Sequence, residues 1–278
     1  MAAVRVAQQV GQLTMIERVL LVVPALAGLF LGLFPLLLPK VFAQVSHFPA
    51  DDTYVYQLAG AATLGYGVAF LLGVLRGDWL ELRLPVIGGL VFNVAAFFAC
   101  VYTLVRGGAP YSVSLVLAAT VLVSMLNSVL LYRYRHVPRP PQDLAMGTVR
   151  VFLLIGALAA GTFGVLPLFA PGLGTLVHLQ INAPFIVRQA GAASLGYAVM
   201  TVFAQRALSS QELRLPIIMA AIFNGVAGIV SIPAILAGDV LLLPWLIAPV
   251  GLAVLVGTLV GLRRAWPQTT PTTTSIPV

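Results

Sequence analysis

The segment from Gln57 to Asn93 returns 131 positions later, from Arg188 to Asn224, and a chain built on such a duplication is confined to folds with two equivalent units. Ala59-Gly60-Ala61-Ala62-Thr63-Leu64-Gly65-Tyr66 recurs as Ala190-Gly191-Ala192-Ala193-Ser194-Leu195-Gly196-Tyr197. Glu81-Leu82-Arg83-Leu84-Pro85 recurs as Glu212-Leu213-Arg214-Leu215-Pro216, and Phe92-Asn93 as Phe223-Asn224. A shift of 132 carries the likeness upstream, pairing Arg18 with Arg150, Gly32 with Gly164 and Pro35 with Pro167. The first apolar run is therefore expected to belong to the duplicated unit and to stay on the chain, not to be removed as a signal peptide.

Both copies lie in strongly apolar surroundings. The chain is 60% hydrophobic and 8% charged, with a mean hydropathy of +1.03, where soluble domains carry about 25% charged residues. This is the composition of a polytopic membrane protein. A hydrocarbon core of about 30 Å needs roughly 20 apolar residues per helix. Eight such runs are predicted, near 17–38, 54–75, 84–105, 112–132, 150–170, 185–206, 215–237 and 241–262. Turn chemistry separates them, at Arg76-Gly77-Asp78, at Arg106-Gly107-Gly108 and at the cluster of Pro138, Pro140 and Pro141. The predicted organisation is an N-terminal segment (1–16), a first unit (17–132), a linker (133–149), a second unit (150–264) and a Thr/Pro-rich tail (265–278) that cannot pack a core and is expected to be disordered.

Orientation is read from the arginines. With the N-terminus in the cytoplasm, twelve arginines fall on the inner side, and Lys40, Arg106 and Arg188 on the outer side. The expectation is a cell-membrane protein with both termini cytoplasmic. Its net charge of +7 is then explained without nucleic acid, and its inner face should attract anionic lipid headgroups of the surrounding bilayer. Arginine outnumbers lysine 14 to 1, a bias of GC-rich bacterial genomes that suggests a bacterial inner membrane. Four helices per unit is an even number, so both units insert with the same polarity. The predicted fold is an all-α integral membrane protein of eight transmembrane helices. They form two parallel four-helix repeats about a pseudo-twofold axis along the membrane normal.

Few polar groups lie inside the spans. Tyr66 and Asn93 fall about nine residues from a shared turn, roughly 13 Å deep at 1.5 Å per residue, and Tyr197 and Asn224 repeat them. Such groups need partners in hydrocarbon. Either they are interhelical hydrogen bonds, or the four converge at the repeat interface to orient a small molecule, where transporters place substrates. The small residues Ala59, Thr63 and Gly67, with Ala190, Ser194 and Ala198, make flat faces for close helix approach. These faces either pack helices or line a seam.

Glu81 and Arg83 before Pro85, and Glu212 and Arg214 before Pro216, read as helix-start signals in the cytoplasmic turns, or as an ionic contact between units or a partner's docking site. His47 and His178 also stand 131 apart, on the outer side. A pair of neutral imidazoles there could ligate haem iron, a pigment magnesium or another metal, although interfacial histidines more often bond headgroups. The lone Cys100 excludes an intrachain disulfide or cysteine metal site. No acidic residue lies mid-helix, against ion-coupled transport. No phosphate-binding glycine loop, nucleophile elbow or His-Glu metal motif is present, so no catalytic residue or cofactor is assigned.

The four-helix plan, with the Ala-Gly-Ala-Ala-Thr-Leu-Gly-Tyr run on the second helix and Phe-Asn on the third, resembles DoxX-like bacterial membrane proteins once per unit. That resemblance implies a possible place as an accessory subunit among other membrane subunits. The expected function is a non-enzymatic membrane protein that binds an apolar or amphipathic small molecule or scaffolds a complex. The alternative is a facilitative transporter or channel with its site at the repeat interface.

Overall fold

The computed structural model describes residues 11–49, 53–107, 110–139, 147–173, 183–236 and 242–265. They form the helices α1 (Met15–Leu37), α2 (Pro39–Ser46), α3 (Thr53–Arg76), α4 (Trp79–Arg106), α5 (Tyr111–Arg133), α6 (Gly147–Phe169), α7 (Pro184–Ala204), α8 (Ser210–Leu236) and α9 (Leu242–Ala265). No strand occurs among the described residues, and the protein is a helical membrane protein.

The ends follow local chemistry. Thr14 caps α1 by accepting from the Glu17 N–H, while Glu17 reaches back to the Thr14 N–H, a reciprocal pair that satisfies two otherwise orphaned donors. Leu38 leaves helical geometry before Pro39 starts α2, a short helix that the eight-run reading does not contain. His47 ends α2 in the left-handed region at φ 59°, and Gly107 ends α4 at φ 80°.

One expectation is corrected. The sequence places Glu81 and Arg83 in a turn before Pro85. Instead Asp78 caps α4, accepting from the Leu80 and Glu81 N–H groups, so that Glu81, Arg83 and Pro85 all lie inside the helix. The capping carboxylate thus outweighs the break expected at proline, whose missing N–H deprives the Glu81 carbonyl of its usual partner. Glu212, Arg214 and Pro216 are likewise inside α8.

Among the described residues, seven helices are long and apolar enough by length and composition to cross a membrane: α1, α3, α4, α5, α6, α8 and α9. The exception, α7, spans 21 residues but carries Arg188, Gln189, Ser194 and Thr201 among glycines and alanines. Its residues from Phe185 to Val187 and most of those from Gly191 to Met200 are buried among other helices, so its composition is matched to protein rather than to lipid.

Packing is closest where glycines remove side chains. A Cβ on Gly28 would sit 2.7 Å from the Gly67 Cα, and one on Gly60 2.6 Å from the Gly32 carbonyl oxygen, so α1 and α3 meet backbone to backbone. The same holds for α6 and α7, where a Cβ on Gly191 would meet the Gly164 carbonyl oxygen at 2.8 Å. Further pairs are α4 with α5 and α8 with α9. The segments before and after residue 140 are joined by α3 on α8, α4 on α7, α3 on α7 and α4 on α8. These four helices make the centre. The outer helices turn Val19, Leu26 and Phe30 of α1, Leu115, Leu122 and Met125 of α5, and Leu158 of α6 outward, an apolar girdle fit for lipid.

Candidate functional site: the central seam and its cavities

At the centre, the Tyr66 hydroxyl donates to the Ala193 carbonyl at 3.2 Å, and the Tyr197 hydroxyl donates to the Ala62 carbonyl at 3.0 Å. Each tyrosine of one segment therefore bonds the backbone of the helix that carries the other. Both are only 2% exposed, and their rings lie 4.8 Å apart at 57°. Phe92 and Phe223 flank the pair, 5.2 Å from Tyr66 and 4.8 Å from Tyr197. The hydroxyls fit only because Gly65 and Gly196 lack side chains: a Cβ on Gly65 would collide with the Tyr197 hydroxyl, and one on Gly196 with the Tyr66 hydroxyl. Aromatic rings thus fill the seam.

The asparagines do not join them. Asn93 Nδ2 donates to the Gly89 carbonyl at 2.7 Å and Asn224 Nδ2 to the Ala220 carbonyl at 2.9 Å, each within its own helix. The four groups share a region without converging on a common point. Of the small-residue run, Gly67 meets α1, where a Cβ on Gly28 would also come 3.7 Å from the Thr63 carbonyl, while the Thr63 hydroxyl donates to the Ala59 carbonyl of its own helix.

Both ends of the seam carry polar stitches. At one end Tyr54 and Ser231 share a hydrogen bond of 2.7 Å, and Gln189 Nε2 donates to the Ala96 carbonyl at 3.5 Å. At the basic end, Arg214 Nη1 lies 3.0 Å from Glu81, whose other oxygen takes Arg76 at 2.7 Å. Arg83 approaches Glu212 at 3.8 Å, and Gln211 donates to Asp78 at 2.5 Å. The two Glu-x-Arg segments exchange partners across the seam. Burial raises the Asp78 carboxyl above its usual range against the pull of its backbone donors. Beside it Tyr134 stacks on Trp79, 4.9 Å between centroids, and donates to Glu17 at 2.7 Å; burial and that carboxylate push the phenol up to about 12.

Two cavities lie beside the seam. The first, of about 130 Å³, opens among α6, α7, α8 and α9 and touches α3; Gly156, Phe163, Ala190 and Val250 line it, with Ser194, Tyr197, Thr201 and Asn224 as its polar rim. Thr201 bonds the Tyr197 and Ala198 carbonyls of its own helix. The second, of about 530 Å³, is a groove along α4 from Leu90 to Tyr102, closed by Leu168 and Phe169 of α6 and by Arg188 and Leu195 of α7. Asn93 lines neither.

His47 packs its ring 5.5 Å from Tyr111 in an edge-on arrangement. His178 lies outside the described residues, so the pair is not brought together here. Among the described residues no three His, Cys, Asp or Glu side chains cluster as a metal site. The sequence reading passed over Asn127, which is wholly buried on α5 with neither amide atom hydrogen-bonded, although an amide in an apolar helix is itself a visible signal. It also passed over Arg188 beside Tyr102, whose meeting depends on α4 lying against α7.

No protein-family model matches the chain, and comparison with curated proteins and with solved structures finds no match. The likeness to DoxX-like proteins rests on the four-helix plan and its small-residue helices, and no comparison adds to it.

Proposed function

We propose that this chain is a non-enzymatic membrane scaffold that holds an apolar or amphipathic small molecule in the cavity among α6, α7, α8 and α9. The observation that carries this reading is the contrast between a closed seam and an open cavity. Tyr66, Tyr197, Phe92 and Phe223 fill the seam. The free space beside it is walled mainly by Phe, Leu, Val and Ala side chains. A cavity of about 130 Å³ is near the size of engineered apolar voids of about 150 Å³ that take up benzene, so it suits one ring or a branched chain end. Asn224 spends its Nδ2 on the Ala220 carbonyl, and no donor reaches its Oδ1 among the described residues. That oxygen is placed to accept from a ligand hydroxyl or N–H at the cavity rim.

The architecture that accompanies this function has eight spanning helices in two parallel four-helix units about a pseudo-twofold axis. The reciprocal bonds of Tyr66 and Tyr197 and the exchanged Glu-Arg pairs support that symmetry. α7, at 21 residues, is about 31 Å long, enough to span when neighbouring helices shield its polar groups. The basic end, with Arg76, Arg83, Arg133 and Arg214, faces the cytoplasm of a cell membrane, where anionic lipids meet it. Other membrane subunits would cover part of the apolar girdle.

The test uses Gly156, where an added Cβ meets nothing within 4 Å. Gly156→Leu should fold normally and fill the cavity. Wild-type protein purified gently from its membrane is expected to carry a bound small molecule in native mass spectrometry or in its absorption spectrum, and Gly156→Leu to lose it. Equal retention by the two proteins would overturn the assignment of this cavity. A bare wild-type protein that conducts solutes in liposomes would overturn the scaffold reading in favour of transport.

A further inference from the structure

The groove along α4 differs from the cavity just described in having a charge at one end and an open side toward lipid. Val94, Phe98, Tyr102 and Phe169 line it and are themselves 40%, 64%, 43% and 75% exposed. From Leu90 to Tyr102 it follows α4 for a rise of about 18 Å at 1.5 Å per residue, close to the depth of one leaflet in a core of about 30 Å. At its head the Arg188 guanidinium lies over the Tyr102 ring at 4.4 Å, and Arg106 lies over the same ring at 5.1 Å. Two like charges share one aromatic ring. No carboxylate forms an ion pair with either arginine among the described residues.

The duplication sharpens the point. At the 131-residue shift Arg188 corresponds to Gln57, Tyr102 to Pro233 and Arg106 to Ala237. The charged head therefore belongs to one groove and is no by-product of the repeated framework. An apolar trough one leaflet deep, headed by two cations that have no carboxylate partner among the described residues, is complementary to an anion carrying a long chain. Phosphate also suits the planar donor fork of arginine.

We propose that the groove between α4, α6 and α7 holds one acyl chain of an anionic phospholipid from the leaflet opposite the basic end, with its phosphate on Arg188 and Arg106. This site is independent of the cavity assigned above.

The experiment is native mass spectrometry of the full chain released from nanodiscs of mixed phosphatidylglycerol and phosphatidylcholine. Variants are Arg188→Gln with Arg106→Gln, Val94→Trp to crowd the groove, and Arg133→Gln with Arg135→Gln as the control at the basic end. Melting curves in detergent establish that each variant is folded. Wild-type protein should retain phosphatidylglycerol preferentially, and the preference should fall roughly fivefold for each groove arginine removed. Val94→Trp should displace the lipid, and the basic-end control should leave this bound lipid in place. An unchanged preference in the double groove variant would overturn the proposal. So would loss in the basic-end control alone, or a groove that retains free fatty acid in place of phospholipid.

Discussion

The Tyr66 and Tyr197 rings meet at 4.8 Å, and each hydroxyl donates to a carbonyl of the helix that carries the other tyrosine. One aromatic pair thus closes two hydrogen bonds between α3 and α7. Because the acceptors are helix carbonyls already engaged in their own ladder, removing a hydroxyl leaves no buried orphan. Tyr66→Phe and Tyr197→Phe should each cost only about 0.6 kcal/mol, the mean for interhelical bonds in membranes. The touching rings make the two changes non-additive, by about 0.5 kcal/mol in a double-mutant cycle read by unfolding in mixed micelles. Strict additivity would show that the rings do not communicate as placed.

The glycines beneath those hydroxyls are less forgiving. Gly65→Ala drives a methyl into the Tyr197 hydroxyl, and Gly196→Ala drives one into the Tyr66 hydroxyl. Both should destabilise the protein more than either phenylalanine variant, by about 1–3 kcal/mol as overpacking. Their rescue should differ. With Tyr197→Phe, the nearest remaining atoms to the Gly65 methyl are the ring carbon and the Met219 carbonyl, both at 3.2 Å, so stability should largely return. With Tyr66→Phe, Gly196→Ala still faces the Gly88 carbonyl at 2.5 Å, and backbone cannot swing away. Detergent melting temperatures of the four single and two paired variants decide this, and equal rescue at both glycines would contradict the packing.

How far the sequence could be read follows from these residues. Tyr66 and Tyr197 stand out because the duplication marks them and because a hydroxyl deep in an apolar helix needs a partner. That the partner is the opposite helix's backbone depends on Gly65 and Gly196 facing it, which a linear pattern does not state. Asn93 and Asn224 carry the same signal and yet bond their own helices at Gly89 and Ala220, since a short amide can reach the preceding turn. The start of α4 is hard to read because Pro85 looks like a beginning while Asp78 already caps the helix upstream of it. The groove headed by Arg188 was invisible for another reason: its residues come from three helices, and only tertiary packing makes them neighbours.

The Glu81 carboxylate carries more than its counterpart. It is 4% exposed and bonds Arg214 at 3.0 Å and Arg76 at 2.7 Å, whereas Glu212 holds Arg83 at 3.8 Å and uses its other oxygen on the Leu208 and Ser209 N–H groups. Glu81→Gln removes a carboxylate charge that two arginines share and should cost about 1–3 kcal/mol, below the full penalty of a buried pair because the arginines are 25–30% exposed and partly screened. Glu212→Gln keeps an oxygen for the two backbone donors and should cost less. Raised salt should narrow the difference, since it screens the half-exposed partners. A larger loss in Glu212→Gln, measured by chemical unfolding at low and high salt, would reverse the assigned importance.

The two ends of the bundle differ in charge, and that difference predicts which one faces the cytoplasm. Arg76, Arg83, Arg133 and Arg214 gather where α3 and α5 end and α4 and α8 begin, while α2 and the mouth of the Arg188 groove lie at the opposite end. Moving arginine across a membrane is costly, so the arginine-rich end should remain where synthesis leaves it. Cys100 is buried and can be replaced by alanine to give a silent background. On that background Gln44→Cys, exposed on α2, should react with a membrane-impermeant maleimide on intact cells. His136→Cys, exposed just after α5, should react only once the cells are permeabilised. The opposite pattern would invert the orientation. It would also move the proposed lipid groove to the leaflet facing the cytoplasm, where anionic lipids are concentrated in many cells and its arginines would meet them more often.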